Sequence, residues 1–578
     1  MKQEKIVALL LVTMLIAGTF AGCGNTTDTQ GQKNEKNSIV AEAESMPDVT
    51  WETEAKEGDT VEENVDNQII LSENEIKVVN DTSDIQVEDK KVTIAKPGTY
   101  EVKGSISEGL LVIDTSEKET VKLIFNGVKI TNSVTAPIQI LNAPKKVIIS
   151  NQKGSTNIVE DGKEREKGDD STAAIYARDD LKMSGEGTMY ICGNYKKGIQ
   201  SKDDLKIKNS KLYVKSEDDA IRGKDSLTIE KAYIYIDTKA DGLRSTNETE
   251  DTKGNISITE SELYITSKQD GIQAAKDLVI ENTTSVICAG EEQTEMDQEE
   301  KKFGELQDNN VKGQKPGARQ RPEDGEKMKG GQMPDDGQKP ENGQQPGWEQ
   351  PQKDENRTGK SSNGMKAKGT LSVVGGNHSV LRSYEGLEGE KVEIKNGTVR
   401  ITASDDGINA TAKDENVTPM IQMDDGYVVV DVLGDGLDSN GNIAINGGKL
   451  IVYGSERGAD GALDYDGEMT AGEEATILAV GSSDMAQGIT TKVNGGLEFT
   501  CDVSSEEIMS IQDEEGNVIL TFKAPKAYSC VVFTSPKIKE GQSYNVYTGG
   551  ENSGESVDGI YLNGQYSGGS ALGTLTGK

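Results

Sequence analysis

The chain has 578 residues, and its 63 Lys plus Arg against 99 Asp plus Glu give a net charge of −36. This charge argues against a nucleic-acid partner, whose phosphates would be repelled, and it favours cations such as Ca²⁺. The single histidine, His378, nearly excludes Ser-His-Asp, Cys-His and His-ligated zinc or iron chemistry. With 65 Gly but only 6 Phe and 2 Trp, the composition favours a repetitive, turn-rich β structure over a set of globular enzymes.

The N-terminus has the proportions of a signal peptide. Lys2 and Lys5 precede an apolar run, residues 6–20, that is short for a membrane span. Small residues then lead directly to Cys23, which is similar to a bacterial lipobox, although a plain secretion signal is the alternative. We therefore predict a signal peptide over 1–22 and a lipid on the Cys23 sulfur.

The next segment, residues 23–67, is polar, acidic and aperiodic, which predicts a flexible tether. Trp51 falls within this tether, and we expect it to have no core role. The expected location is the extracellular face of the cytoplasmic membrane of a Gram-positive-type cell, where the protein is held by its lipid as a monomer.

A short pattern of Asp or Gly followed by an aliphatic residue repeats through the chain. The aliphatic residues 199, 221, 243 and 272 are separated by steps of 22, 22 and 29 residues, and the series resumes at 408, 437, 463 and 489. Alternating strands such as Leu205-Lys206-Ile207 and Leu212-Tyr213-Val214 lie between these positions.

A repeat of about 22 residues with three short strands is typical of one coil of a parallel β-helix. No coil can bury its aliphatic residues alone, whereas coils stacked about 4.8 Å apart pair their backbones and enclose a continuous apolar interior. The rule for parallel crossovers favours the right-handed form. We predict an all-β fold, a right-handed parallel β-helix (solenoid) with an N-terminal cap and a small C-terminal β region.

Composition sets the predicted boundaries along the chain. The segments are N-terminal β-helix coils at 68–289, a disordered Gly/Pro/Gln/Lys-rich insertion at 290–369, C-terminal β-helix coils at 370–494, and a C-terminal β cap or module at 495–578. Cys501 and Cys530 both fall in the last segment, and their pairing is left open.

Several motifs together resemble a family of bacterial carbohydrate-binding β-helix proteins, often exported lipoproteins, that bind cellulose and pectic acid. These motifs are Pro97-Gly98-Thr99-Tyr100-Glu101, Leu123-Ile124-Phe125-Asn126-Gly127, the Asp-Gly-Ile/Leu coils, Gly434-Asp435-Gly436-Leu437-Asp438 and Phe533-Thr534-Ser535-Pro536. The resemblance implies a pectate-lyase-like right-handed β-helix, bound calcium, and polysaccharide binding without established catalysis.

The acidic residues beside the repeated aliphatic positions are candidate calcium ligands. Stacking would bring like carboxylates within about 4.8 Å, and Ca²⁺ would convert their repulsion into binding. The alternative is that Asp and Gly simply form good tight turns. The candidates are Asp218, Asp219, Asp241, Asp405, Asp406, Asp435, Asp438, Asp460, Asp464 and Asp466.

Candidate sugar-binding residues form two further sets. Tyr190, Tyr213, Tyr235 and Tyr264 each lie between aliphatic residues, which predicts a flat outward strip for the apolar faces of glycan rings. The alternative is that tyrosine simply favours strands.

Arg222 and Arg244 occupy one repeated position, where they would clamp uronate carboxylates or else neutralise nearby Asp side chains. We therefore predict a calcium-dependent, non-catalytic polysaccharide-binding lipoprotein that binds cellulose or pectic, uronic-acid-containing glycans. The alternatives are a calcium-dependent pectate-type lyase, for which no motif fixes a base, and a structural surface adhesin with a protein partner. A glycoside hydrolase with paired carboxylates is disfavoured, because the corners of the coils explain the Asp pairs.

Overall fold

The computed structural model describes residues 45–80, 84–291, 362–456, 458 and 460–578. The predicted signal peptide, the predicted lipidation site Cys23 and most of the predicted insertion lie outside these residues. The described residues belong to one compact unit that spans 43–578. No helix is present among them, and hence none that could cross a membrane.

The fold is an all-β, right-handed parallel β-helix of about 12 turns, as predicted. Each coil has three legs of strand. The first and second legs form a 26-stranded sheet, and the third leg forms a 14-stranded sheet. In the central coils, one residue with a positive φ separates the first two legs; these residues are Asn209, Lys231, Glu260 and Asn282.

The strands are grouped here by leg. First-leg strands are Lys146–Asn151, Leu181–Ser184, Asp204–Lys208, Ser226–Glu230, Asn255–Thr259, Met420–Met423, Asn442–Ile445, Met469–Ala471 and Thr491–Lys492. Second-leg strands are Thr156–Asp161, Thr188–Gly193, Lys211–Ser216, Tyr233–Thr238, Glu262–Ser267, Tyr427–Val432, Lys449–Tyr453 and Thr476–Gly481. Five longer strands run through both legs: Gly98–Ile106, Thr120–Asn132, Leu278–Ala289, Thr370–Arg382 and Lys391–Ala403.

The third leg is the most regular. Its strands are Leu110–Asp114, Ile138–Asn142, Ala173–Ala177, Lys197–Ser201, Ile221–Gly223, Leu243–Ser245, Ile272–Ala274, Met365–Ala367, Leu387–Gly389, Ile408–Ala410, Leu437–Ser439 and Leu463–Tyr465. Ile272–Ala274 pairs directly with Met365–Ala367, so the stack of coils continues across residues 292–361.

The alternation of side chains places Ile, Leu and Val in the interior, where they form one continuous cluster along the solenoid. His378 belongs to this interior and is fully buried. Its Nδ1 lies 2.9 Å from the Ser285 hydroxyl, and its Nε2 lies 3.1 Å from the Gly375 carbonyl. Burial lowers the pKa of His378 to about 4, so this side chain is a neutral core residue.

Antiparallel strands close both ends of the solenoid. The N-terminal strands are Asn67–Leu71, Ile76–Val78, Ile85–Glu88 and Lys91–Ile94. At the other end, Tyr528–Thr534 pairs antiparallel with the last second-leg strand and with Gly496–Val503. Coverage of this kind protects an open sheet edge from further pairing. Cys501 and Cys530 are both free thiols.

A small antiparallel sheet, termed here the C-terminal sheet, packs on the outer face of the second leg. Its strands are Ile508–Asp513, Val518–Lys523, Ser543–Thr548, Ser556–Val557, Ile560–Tyr561 and Ser570–Thr576, and Glu551–Asn552 pairs with Tyr566–Ser567 beside it. Phe522 and Met509 of this sheet share an apolar cluster with Ile451 and Leu478 of the solenoid.

Candidate functional site

The outer face of the third leg presents one continuous row of side chains. Strand register aligns these residues coil by coil: Gln139, Tyr176, Gln200, Arg222, Arg244, Gln273, Lys366, Glu388, Asn409, Asp438 and Asp464. The row is basic in its middle and acidic toward its C-terminal end. We call it the third-leg row.

A second row lies at the corner, two residues before the aliphatic residue of each third-leg strand. It comprises Lys197, Asp219, Asp241, Asp270, Asn363, Glu385, Asp406 and Asp435. Asp241 Oδ1 accepts the backbone N–H of Asp270 at 2.9 Å, and Asp406 Oδ1 accepts that of Asp435 at 2.9 Å. These carboxylates therefore satisfy backbone donors of the next coil, which is the structural role that a turn former would supply.

In the coil of Asp270, the glycine of the Asp-Gly pattern is required by the close approach of the neighbouring coil. A Cβ on Gly271 would lie 2.5 Å from the carbonyl oxygen of Gly364 and 2.5 Å from a methyl carbon of Ile287. No other residue fits this corner without a shift of the neighbouring coil.

The two arginines of the third-leg row are bound to corner aspartates. An Arg222 Nη1–Asp219 Oδ2 contact measures 3.5 Å, and Arg244 Nη1 lies 3.4 Å from Asp219 Oδ1 and 2.9 Å from Asp241 Oδ2. The arginine side chains retain 28% and 33% exposure. Each guanidinium therefore neutralises buried carboxylates and still faces solvent.

The three predicted calcium ligands beside the basic middle of the row form ion pairs with Lys and Arg side chains of this protein. Asp218 forms an ion pair with Lys197, while Asp219 and Asp241 bind the arginines. Burial, together with the charges of Asp270 and Asp219, raises the pKa of Asp241 to about 7 in spite of Arg244. The structure does not bring these three aspartates together with the other predicted ligands.

The acidic end contains a cluster of oxygen ligands. Carboxylate oxygens of Glu385, Asp405 and Asp406 lie within 4.8 Å of one another. The Asn363 and Asn409 side chains donate N–H groups to Glu385 at 3.1 and 3.2 Å. The Oδ1 atoms of both asparagines are buried without a hydrogen-bond partner. Carboxylate and amide oxygens are the ligands that Ca²⁺ takes in proteins.

At the acidic end of the row, the pKa values of Asp406, Asp435 and Asp438 are all raised. Burial raises the pKa of Asp406 to about 7, and the charge of Asp405 adds to the shift. Burial likewise raises the pKa of Asp435 to about 7, followed by the charges of Asp460 and Asp464. For Asp438 the value is about 6, because of burial and the charges of Asp464, Asp466 and Asp405. Removal from water and mutual repulsion both disfavour ionisation, and a bound cation would relieve both.

Glu385 and the two asparagines were missed from the sequence. Glu385 precedes Gly386 and Leu387, so it occupies the position that Asp holds in the other coils. A search for any acidic residue followed by Gly and an aliphatic would have found it. Asn363 lies within the predicted insertion, residues 290–369, whose last residues instead form the third-leg strand Met365–Ala367, and only the strand register locates it.

The four predicted tyrosines do align in one row on the second leg. Tyr190 and Tyr213 stack with centroids 4.7 Å apart and an interplanar angle of 8°, whereas Tyr213 and Tyr235 are tilted by 38°. Tyr190 and Tyr213 are only 7% and 8% exposed. The strip is therefore not flat, and two of its rings do not face solvent.

The cover over these tyrosines is residues 45–66 of the predicted tether, termed here the strap. The Trp51 ring meets Tyr190 edge-on at 5.7 Å, and Lys215 lies 4.3 Å from the Trp51 ring centroid. Lys129 donates to the Thr53 carbonyl at 2.7 Å. The expectation that Trp51 has no core role is wrong, because it seals an apolar cluster on the outer face.

The sequence model of one family, described as carbohydrate-binding domain-containing protein, matches residues 88–319 and 356–514. A curated relative with the same description, from Acetivibrio thermocellus, is 31% identical over 154 residues. That match covers 26% of this chain and 54% of the relative, so the chain spans about half the length of the curated relative it matches.

A solved structure is also similar. It is described as the polysaccharide lyase-like protein from C. thermocellum in a gadolinium derivative. The sequence identity is 30%, the match covers 39% of this chain and 92% of the other, and the TM-score is 0.38.

Proposed function

The chain belongs to the carbohydrate-binding domain-containing protein family, and from that premise we propose that it is a lipid-anchored surface protein that binds a uronic-acid-containing polysaccharide with the help of Ca²⁺. The third-leg row is the observation that supports this proposal. It presents cationic side chains and a cluster of oxygen ligands on one face, along the direction in which a linear polymer would extend.

The basic part of the row suits the polymer's carboxylates. The Arg222 and Arg244 guanidiniums are held by buried aspartates, so their orientation is fixed before a ligand arrives. Their exposed nitrogens would form charge-assisted hydrogen bonds with uronates. Gln273 follows in the next coil, and Lys366 then forms an ion pair with Glu388, where the acidic part of the row begins.

The acidic part suits a calcium ion. Glu385, Asp405 and Asp406 with the buried amide oxygens of Asn363 and Asn409 would hold it. Asp438 and Asp464, with Asp435, Asp460 and Asp466 around them, offer a second position. Calcium bound here would supply positive charge opposite polymer carboxylates that the acidic face would otherwise repel.

The anchor and the location belong to the same proposal. Residues 1–22 would be removed, and a lipid on Cys23 would hold a monomer at the extracellular face of the membrane. When the chain is expressed in a Gram-positive host fed a labelled fatty acid, wild type should carry the label and Cys23→Ser should not. Equal labelling of the two proteins, or no label on wild type, would contradict the anchor.

The binding test compares two variants of equal charge change. Asp438→Asn with Asp464→Asn removes ligands from the row, whereas Asp424→Asn with Asp425→Asn alters exposed residues in a turn between the other two legs. Calorimetry with oligogalacturonate should show that Ca²⁺ raises the affinity of wild type and of the control variant. In the presence of Ca²⁺, the affinity of the first variant should be at least tenfold lower than that of wild type. Equal binding by all three proteins would refute calcium at Asp438 and Asp464, and no effect of EDTA on wild type would refute both calcium positions.

Absorbance of unsaturated product in the same samples tests turnover. A steady increase would identify a lyase in place of a binding protein. Absence of binding to any carboxylated polysaccharide would favour a surface protein with a protein partner.

A further inference from the structure

The outer face of the first leg presents lysines near the N-terminal end of the solenoid. Register places Lys122, Ile148, Lys182 and Lys206 at equivalent positions in successive coils. Such positions are about 4.8 Å apart. Lys146 and Lys208 lie in the rows on either side. We call these five lysines the lysine patch: Lys122, Lys146, Lys182, Lys206 and Lys208.

The lysine patch is only partly neutralised. Glu63 pairs with Lys122, and Glu230 is shared by Lys206 and Lys208. Among the described residues, no carboxylate lies within 4.0 Å of the ammonium groups of the other two lysines. Burial and the charges of the four neighbouring lysines lower the pKa of Lys182. The patch therefore concentrates positive charge on the surface of a chain whose net charge is −36.

The borders of the patch differ in chemistry. On the side toward the third leg, Asp180 and Asp204 follow Lys146 along its row. On the side toward the second leg, Ser150 and Ser184 occupy paired positions in adjacent coils, and both are half-buried. Ile148 adds an apolar surface between two of the lysines. An anionic ligand is therefore directed along the lysines and toward the serines.

We propose that the lysine patch is a second, calcium-independent subsite for a linear carboxylated polysaccharide, laid along the solenoid axis. The ammonium groups bind the carboxylates, the serine hydroxyls bind sugar hydroxyls, and Ile148 contacts the C–H face of a ring. Lysines in three adjacent rows that follow the solenoid axis suit a linear polyanion, whereas a flat anionic membrane would meet the surrounding acidic surface. The proposal rests on the proposed function and adds a binding mode that does not need metal.

The test uses the full chain in EDTA, which removes the calcium-dependent mode. Lys182→Glu with Lys206→Glu reverses two cations of the patch, and Lys239→Glu with Lys268→Glu makes the same charge change at exposed lysines that follow second-leg strands. Affinity for oligogalacturonate at low salt should fall at least tenfold in the first variant and less than twofold in the second. Lys182→Arg with Lys206→Arg should retain wild-type affinity, and dextran should not bind.

Equal losses in both glutamate variants would show non-specific charge repulsion and overturn the proposal, as would an unchanged first variant. Thermal unfolding checks that each variant folds. The outcomes of the two sites are separable, because the aspartate variants affect only the increment that Ca²⁺ adds. If binding occurs only with Ca²⁺, the lysine subsite fails while the third-leg site stands. If binding in EDTA persists and calcium adds nothing, the reverse holds.

Discussion

The carboxylate of Asp558 receives the Arg400 guanidinium in a bidentate ion pair, with Nε–Oδ1 at 3.0 Å and Nη2–Oδ2 at 2.9 Å. The two residues are 158 positions apart. Their side chains are only 8% and 18% exposed. The pair joins the C-terminal sheet to the outer face of the second leg, where the Tyr453 hydroxyl also donates to the Asp558 carbonyl at 2.8 Å.

Removing one member of this pair should loosen the C-terminal sheet. Asp558→Ala leaves a buried guanidinium without its carboxylate, which should lower the free energy of unfolding by about 3–5 kcal/mol. We expect faster hydrogen exchange across 508–576 and a lower unfolding temperature. Lys523→Ala, which breaks the more exposed pair with Glu506, should cost at most about 1 kcal/mol. Similar exchange in both variants would show that apolar contacts alone hold the sheet.

Trp51 should anchor the strap. Trp51→Ala removes the ring that covers Tyr190 and Tyr213. Because this side chain is half-buried, we expect the free energy that holds the strap on the solenoid to fall by about 2 kcal/mol. Limited proteolysis should then cut within 45–66 faster than in wild type. Trp51→Phe keeps an aromatic ring and should recover most of the protection. If Trp51→Ala left the cleavage rate unchanged, the hydrogen bonds and ion pairs of the strap would be sufficient.

The fold was predictable because the solenoid repeats one simple requirement. Each coil must bury the aliphatic residue of its third leg, so Ile221, Leu243 and Ile272 recur at steps of 22 and 29 residues and reveal the stack. Alternation in the flanking strands then fixes which side chains point outward. The alignment of Arg222 with Arg244 and of Tyr190 with Tyr213 follows from this periodicity alone.

The site was less predictable because its composition depends on non-repeating contacts. Asp219 and Asp406 each follow an Asp and lie two residues before an Ile, yet arginines bind the former and carboxylates surround the latter. Which of these environments a corner Asp meets is decided by side chains of its own coil and of the adjacent coil. The strap lies outside the repeat altogether, so nothing in the periodicity indicates that Trp51 covers the tyrosines.

Calcium should stabilise the folded chain through its acidic end. A ligand that binds only the native state adds RT ln(1 + [L]/Kd), about 2.7 kcal/mol at a hundredfold excess over Kd. The unfolding temperature of wild type should therefore rise with Ca²⁺ and fall with EDTA in differential scanning fluorimetry. Asp405→Asn with Asp438→Asn should abolish most of this difference. An unchanged temperature in wild type would count against calcium at these residues.

In the metal-free protein, the corner aspartates should make the folded state less stable as pH rises, which is the opposite of the usual effect of Asp residues. Asp406 and Asp435 have pKa values raised to about 7 by burial and neighbouring carboxylates, against about 3.9 in an unfolded chain. Between these values the native state holds protons that the unfolded state has lost, so the contribution is present below about pH 4 and is lost as pH rises toward 7. Asp406→Asn with Asp435→Asn removes this titration yet keeps the oxygens that accept the Asp435 and Gly461 N–H groups. In EDTA, the variant should therefore match wild type near pH 4 and exceed its unfolding temperature at pH 8. Parallel curves for the two proteins across this range would show that the corner carboxylates ionise freely in the folded chain.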